Sequence, residues 1–393
     1  MRGLAVHAQG VLQKLFGAAL SLLDARNARN LLTAVDACLA GRRLVMMELA
    51  RHWPGAMRVA APLKRLDRLL GNTHVHAVRH KMYHAAAALL VRTHNPVLIV
   101  DWSELKSDGR WNLLRAALAV RGRSLTIYEE VYPQRLLNAR KAHDAFLKRL
   151  KALLPADVCP IVVTDAGFKV PWFRTVEKLG WHWLGRVRGH VGLRSLRQPH
   201  AIFRPAQALY RFADAMPRAL GAYALTEKHA LRCRIVLLRR PPKQRHQSLR
   251  RSSGRARSGK ASKMARAARE PWLLAHGESL NRYSPAQITH WYALRMQIES
   301  SFRDLKSHRF GCAFEDTLTR SAERLEVLLL IHMLATLVAW LAALAAIALH
   351  EYRFRISLLR RGWESLRGGH RIATPHQALS QLWRLSEQSA CAP

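Results

Sequence analysis

Four side chains with chemistry of their own recur along one segment late in the chain. Tyr292, Arg295, Glu299 and Lys306 follow one another at offsets of 0, 3, 7 and 14 residues. On an α-helix, at about 100° per residue, they fall within an arc of about 60°. One face thus carries a phenol, a guanidinium, a carboxylate and an ammonium, where a purely structural helix would put apolar residues. Ile298, Phe302 and Leu305 form a separate apolar stripe, so the helix has one side for packing and another for work. A solvated charged face has the same periodicity, and spacing alone does not separate the two readings. The helix should begin at Ser284-Pro285, where Ser is a good N-cap and Pro fits the first helical position.

Two carboxylates upstream stand where ligands gather. The short apolar runs 96–100 (PVLIV) and 160–164 (PIVVT) are the mark of strands buried on both faces, and they lead directly into Asp101 and Asp165. In open α/β sheets ligands collect at the carboxyl ends of strands, although an Asp there also commonly caps the following turn. Further strands are expected near 118–120, 124–131 and 182–187, with helices over 142–154 and 172–179. The resulting order of strand, strand, strand, helix, strand, helix, strand is that of a ribonuclease-H-like α/β fold, in which the first and fourth strands lie side by side. Trp181 and Trp183 fit a core.

The elements around this segment differ in character. Residues 1–92 predict an all-helical domain, with Lys64, Arg65 and Arg68 ahead of a helix stop at Gly71-Asn72. These three cations fit either a DNA-contacting face or ordinary solvated surface. Residues 190–283 predict a β-rich insertion interrupting the α/β segment. Its segment 244–269, rich in Arg, Lys, Ser and Gly, fits a disordered loop, a DNA clamp, or one that becomes the other. The run 327–349 is long enough to span a bilayer. A buried helix is the better reading, since no partner span or aromatic belt supports the other, and His332 is then a core histidine. Thr374-Pro375 starts a last short helix in a C-terminal helical tail.

Sixty-four Lys and Arg against twenty-six Asp and Glu give a formal net charge of +38. Such an excess favours a polyanionic partner through counterion release, without choosing between DNA, RNA and a membrane surface. Cys38, Cys159, Cys233, Cys312 and Cys391 are scattered and odd in number, which argues against a disulfide framework and a zinc site and fits a reducing cytoplasm.

A resemblance joins these pieces. Tyr292-x2-Arg295-x3-Glu299-x6-Lys306 resembles the YREK signature of bacterial DDE transposases of the insertion-sequence IS-four family. VDWSEL around Asp101, RKAHDAFL at 140–147, DAGFKVPWF from Asp165 and EKLGWHWLGRVRG at 177–189 look like its transposon Tn-ten branch. KRLDRLLGN at 64–72, EPWLLA at 270–275 and RMQIESSFRDLKS at 295–307 do too. The similarity runs from about residue 40 to about 340 and lapses in the tail beyond about 350.

The resemblance implies a metal-dependent DNA cut-and-paste enzyme in which Asp101, Asp165 and Glu299 bind two Mg2+ ions, with Mn2+ as a substitute. It implies that Tyr292, Arg295 and Lys306 hold DNA phosphates. It also gives Trp272, otherwise a plausible core residue, the role of a stacking platform for a base flipped out as a hairpin forms at the transposon end. The partners implied are double-stranded DNA, as terminal inverted repeats and target, and a second copy of the chain in the DNA complex, with no membrane. The place implied is the bacterial cytoplasm, on the nucleoid. The division expected is 1–92, 93–189, 190–283, 284–350 and 351–393. A nuclease that never joins strands, a non-catalytic DNA-binding protein and a membrane-attached basic protein are the alternatives.

Overall fold

In the computed structural model the described residues are all except 1, 56–57, 199, 242–247, 250–251, 256–269, 347–355, 373–374 and 392–393. They divide into two compact units, one of Met1–Ile161 with Leu294–Cys391 and one built on Val162–Ala293.

The first unit opens with helices α1 (Arg2–Leu20), α2 (Ala25–Gly41), α3 (Met46–Arg51), α4 (Ala60–Leu70) and α5 (Thr73–Leu90). Local chemistry sets their ends. Asp24 accepts the Asn27 N–H and starts α2, and Asn72 accepts the Val75 N–H at 3.0 Å and starts α5. The expected stop at Gly71-Asn72 is therefore also a start.

Three strands follow, β1 (Val97–Glu104), β2 (Trp111–Ala119) and β3 (Ser124–Pro133), in the antiparallel order β3-β2-β1. Two differences from expectation matter. β1 does not stop at Asp101 but continues its ladder with β2 as far as Glu104↔Asn112. β2 begins at Trp111 rather than near Leu118, because Arg115 in its middle is fully buried rather than a polar break. The register places Asp101 opposite Arg115, and Arg115 opposite Glu129. Directly opposed residues share a face of the sheet. Arg115 Nε donates to Glu129 Oε2 at 2.7 Å, and Tyr83 Oη donates to Oε1 at 3.1 Å, so both Glu129 oxygens are engaged, while Arg115 Nη1 has no hydrogen-bond partner.

Helix α6 (Arg140–Leu153) then leads to β4 (Ile161–Thr164). In the second unit follow α7 (Val170–Lys178), β5 (His182–Val187), β6 (Gly192–Ser195), β7 (Arg204–Pro205), β8 (Arg218–Leu225) and β9 (Leu231–Leu238). Next come a hairpin, β10 (Ser248–Leu249) with β11 (Ser252–Arg255), then β12 (Trp272–His276) and α8 (Pro285–Leu294). The element order through residue 187 is the expected one. Strands of this unit lie in the order β4-β5-β12-β9-β8-β6-β7. Phe173 of α7 stacks on Trp183 of β5 at 4.2 Å, and a Cβ at Gly185 would collide with Phe173, so glycine lets helix and strand close up. Trp181 and Trp183 are core residues, as expected. Most of the basic segment 244–269 lies outside the described residues.

The first unit is completed by α9 (Met296–Lys306), α10 (Ala322–Ala346), α11 (Leu358–Arg367) and α12 (Pro375–Ala390). The apolar run is α10, and 94% of its most apolar window is buried inside the protein, so it is a core helix. His332 is buried on it, with Nε2 3.4 Å from Thr336 Oγ1. The Thr374 cap lies outside the described residues. All five cysteines are free thiols.

Candidate active site

The segment expected as one helix from Pro285 to Lys306 is two. Helix α8 ends at Leu294 and α9 begins at Met296, with Arg295 between them. The ladder tightens there, the Ile298 N–H reaching the Arg295 carbonyl at 3.2 Å. The single stripe therefore holds for Arg295, Glu299 and Lys306, while Tyr292 belongs to the preceding helix.

In the first unit, α9 is fixed to the β2–β3 turn by polar contacts as well as its apolar stripe. Gln297 pairs with both backbone groups of Val120, accepting its N–H at 3.0 Å and donating to its carbonyl at 2.7 Å. Ser301 Oγ accepts the Ser124 N–H at 3.2 Å, and Asp304 pairs with Arg123. Phe302 places its ring 4.9 Å from the Arg115 guanidinium carbon. These anchors turn Glu299 outward, where it is exposed. Gln297 and Ser301 sit one turn apart on the buried side, and only that i,i+4 spacing signals them in the sequence.

Across from them stands Asp101. Its Oδ1 accepts the Trp102 N–H at 2.9 Å. Arg295 joins the two carboxylates: Nη1 donates to Asp101 Oδ2 at 2.9 Å, and Nη2 donates to Glu299 Oε1 at 2.5 Å. One planar fork thus joins a carboxylate 194 positions before Arg295 to one four positions after it. Lys306 Nζ donates to the Glu104 carbonyl at the end of β1 at 3.0 Å and lies 3.8 Å from Glu315 Oε1. It ties the far end of α9 to the strand that carries Asp101. Trp102 points the other way along β1. Its Nε1 donates to His143 Nε2 at 3.0 Å, and burial pushes His143 down to about 4, which keeps that nitrogen an acceptor at neutral pH.

In the second unit, Asp165 follows β4 directly. Its Oδ1 accepts the Gly167 N–H at 2.7 Å, and a Cβ at Gly167 would press on that oxygen at 2.9 Å. Tyr292 is buried, with its ring 4.8 Å from Trp272 and nearly perpendicular to it. Trp272 is half-buried, and the Arg240 guanidinium carbon lies 4.5 Å from its ring centroid. Burial lowers the Arg186 guanidinium below its usual range, partly offset by Tyr292. Neither Arg240 nor Arg186 had a sequence signal, since each is one Arg among many.

On α4, Lys64, Arg65 and Arg68 are all exposed, opposite the buried Leu66, Leu69 and Leu70. Among the described residues no group of three or more His, Cys, Asp or Glu forms a ready metal site. The donor chemistry nevertheless fits a hard cation: Asp101 and Glu299 are carboxylates, both drawn onto the single positive charge of Arg295.

The family model described as Transposase DDE domain matches residues 92–338. The chain belongs to that family. Its members cut DNA strands and transfer them, generally with divalent metal ions, so this chain is a DDE transposase acting on DNA. No curated protein matches it. A solved structure described as the cryo-EM structure of piggyBac transposase synaptic complex with hairpin DNA is similar at a TM-score of 0.41 and 12% identity, over 97% of this chain and 78% of that one.

Proposed function

We propose that this DDE transposase moves an insertion sequence of the IS-four family, in its Tn-ten branch, by cut-and-paste transposition. Asp101, Asp165 and Glu299 are the three acidic residues of its catalytic centre, on a ribonuclease-H-like core. The observation that carries this is the Arg295 fork, which gathers Asp101 and Glu299 although 198 positions separate them. Two carboxylates brought together at a surface would repel one another unless a cation is part of the design.

Asp101, Asp165 and Glu299 would hold two divalent ions, Mg2+ by preference. Such ions supply charge neutralisation at the attacking and leaving oxygens of a phosphodiester exchange. The chain's own residues orient the DNA. Arg295 and Lys306 hold phosphates by fork and point charge, Tyr292 supports Trp272 edge-on, and Trp272 stacks a base unpaired in the hairpin intermediate. Lys64, Arg65 and Arg68, with the basic segment 244–269, grip the terminal inverted repeats and the target without reading bases. Two copies bridge two transposon ends.

A strand-transfer reaction on DNA carrying the repeats that flank the gene tests the reading. Excised element joined to target is expected. Nicked DNA without joined product would leave a nuclease, and no cleavage would leave a DNA-binding protein.

A further inference from the structure

We propose that Arg295 is a displaceable internal cation that occupies the carboxylate site until a divalent ion takes its place, so that metal binding releases the guanidinium for DNA. The inference rests on the reading of Asp101 and Glu299 as metal ligands. It begins from a competition for charge: a guanidinium already neutralised by two carboxylates offers a DNA phosphate no net positive charge, although N–H groups remain on it. Arg295 is so engaged. Nη1 is on Asp101 Oδ2 at 2.9 Å and Nη2 on Glu299 Oε1 at 2.5 Å. The side chain is 14% exposed, and Asp101 is 13% exposed, so this pair is only partly screened by water.

The geometry has the properties of an exchangeable plug. The fork matches two carboxylate oxygens that would otherwise face one another, and so keeps the site assembled without metal. A divalent ion brings twice the charge to the same oxygens and competes for them directly. Arg295 stands at the break between α8 and α9, where the helical ladder is already irregular. Lys306, bound to the Glu104 carbonyl, and Gln297, bound to Val120, hold α9 in place while Arg295 moves.

Two consequences follow from linkage. Arg295 weakens metal binding in the absence of DNA, because the ion must first displace it. Metal and DNA phosphate then strengthen one another, since each favours the state in which Arg295 has left the carboxylates.

The test is Mn2+ binding to the full-length protein without DNA, followed by electron paramagnetic resonance, for wild type, Arg295→Gln, Arg295→Lys and Asp101→Asn. Arg295→Gln should bind Mn2+ at least about fivefold more tightly than wild type, within the range usual for coupled sites. Arg295→Lys, which keeps the charge but loses the two-armed bridge, should also bind more tightly, by a smaller factor. Asp101→Asn should bind more weakly. Ca2+ should tighten wild-type binding to a short DNA duplex and have a smaller effect on Arg295→Gln.

Unchanged Mn2+ binding in both Arg295 variants, with weakened binding in Asp101→Asn, would overturn the plug and leave the metal site standing. Tighter binding in Arg295→Gln with none in Arg295→Lys would reduce the effect to charge alone and also overturn it. Unchanged binding in Asp101→Asn would instead remove the metal-site reading itself. If Arg295→Gln does not fold, Arg295→Lys against wild type decides the question.

Discussion

Glu129→Gln is the sharpest test of how the sheet supports the site. Glu129 and Arg115 have no exposed surface, and the two side chains meet at 2.6 Å and 2.7 Å. The second carboxylate oxygen takes the Tyr83 hydroxyl. Glutamine keeps the shape but removes the charge, and it turns an amide donor toward either the guanidinium or the hydroxyl. Arg115 cannot shed its proton in compensation. Breaking one side of a buried pair in this way costs about 3–5 kcal/mol, against a total stability of roughly 5–15 kcal/mol for a typical protein. Chemical denaturation followed by circular dichroism measures the loss. The double variant Arg115→Met with Glu129→Leu removes both charges and should recover stability to within about 1–2 kcal/mol of wild type. The register adds a second readout: Asp101 lies directly opposite Arg115, so an unpaired Arg115 should also weaken Mn2+ binding. A loss below about 1 kcal/mol in Glu129→Gln, or a double variant as unstable as the single one, would show that the Arg115–Glu129 pair does not support the sheet.

Other outcomes follow from the same structure. Asp36 is buried with one oxygen unpartnered and the other taking the Gln9 amide, and burial pushes its carboxyl up to about 8. Between about pH 4 and pH 8 the folded protein keeps a proton that the unfolded chain has lost, so stability falls as pH rises through that window. Asp36→Asn should therefore gain on wild type by roughly 4 kcal/mol between pH 5 and pH 8, at about 1.4 kcal/mol per unit with the slope flattening near pH 8, in paired thermal melts. A pH-independent difference would place the charge in solvent. Removing Lys64, Arg65 and Arg68 together should reduce the slope of log affinity against log salt by about 2–3, as for that many lost phosphate contacts, in titrations with duplex DNA. An unchanged slope would make α4 ordinary surface. Trp272→Ala should slow hairpin formation about tenfold or more while sparing the first nick, if stacking on the indole is worth the usual 1–3 kcal/mol or so, and gel analysis of the products separates the two steps.

Legibility in the sequence followed the reach of local physics. The runs PVLIV and PIVVT are apolar enough to declare themselves as strands, and Ser284-Pro285 declares its helix through a cap that the structure contains, the Gln287 N–H reaching Ser284 Oγ at 3.2 Å. β2 was hidden because its buried Arg115 looks polar until Glu129 is known to face it, fourteen residues away. The break at Arg295 has no Pro or Gly to announce it. It coincides with a guanidinium drawn to Asp101 from 194 positions off, which no helical periodicity encodes. Asp101, Glu299 and Arg295 were legible as residue types at telling positions, but their bridging geometry was not, since spacing cannot tell a clamp from a solvated face. Spacing puts Tyr292 on the working stripe, and the structure shows it buried against Trp272, a contact that spacing does not encode.

The proposed function has Glu299 acting with Asp101 and Asp165 to cut and join DNA. The most direct measurement compares wild type with Glu299→Gln in the strand-transfer reaction, alongside duplex binding by each. Glu299 is exposed and makes its contact through Arg295, so the substitution should leave folding close to wild type and should not weaken DNA binding. The account predicts that nicked, excised and joined products all fall by about a thousandfold or more, equivalent to at least about 4 kcal/mol of barrier. Cleavage at the wild-type rate by Glu299→Gln would contradict it.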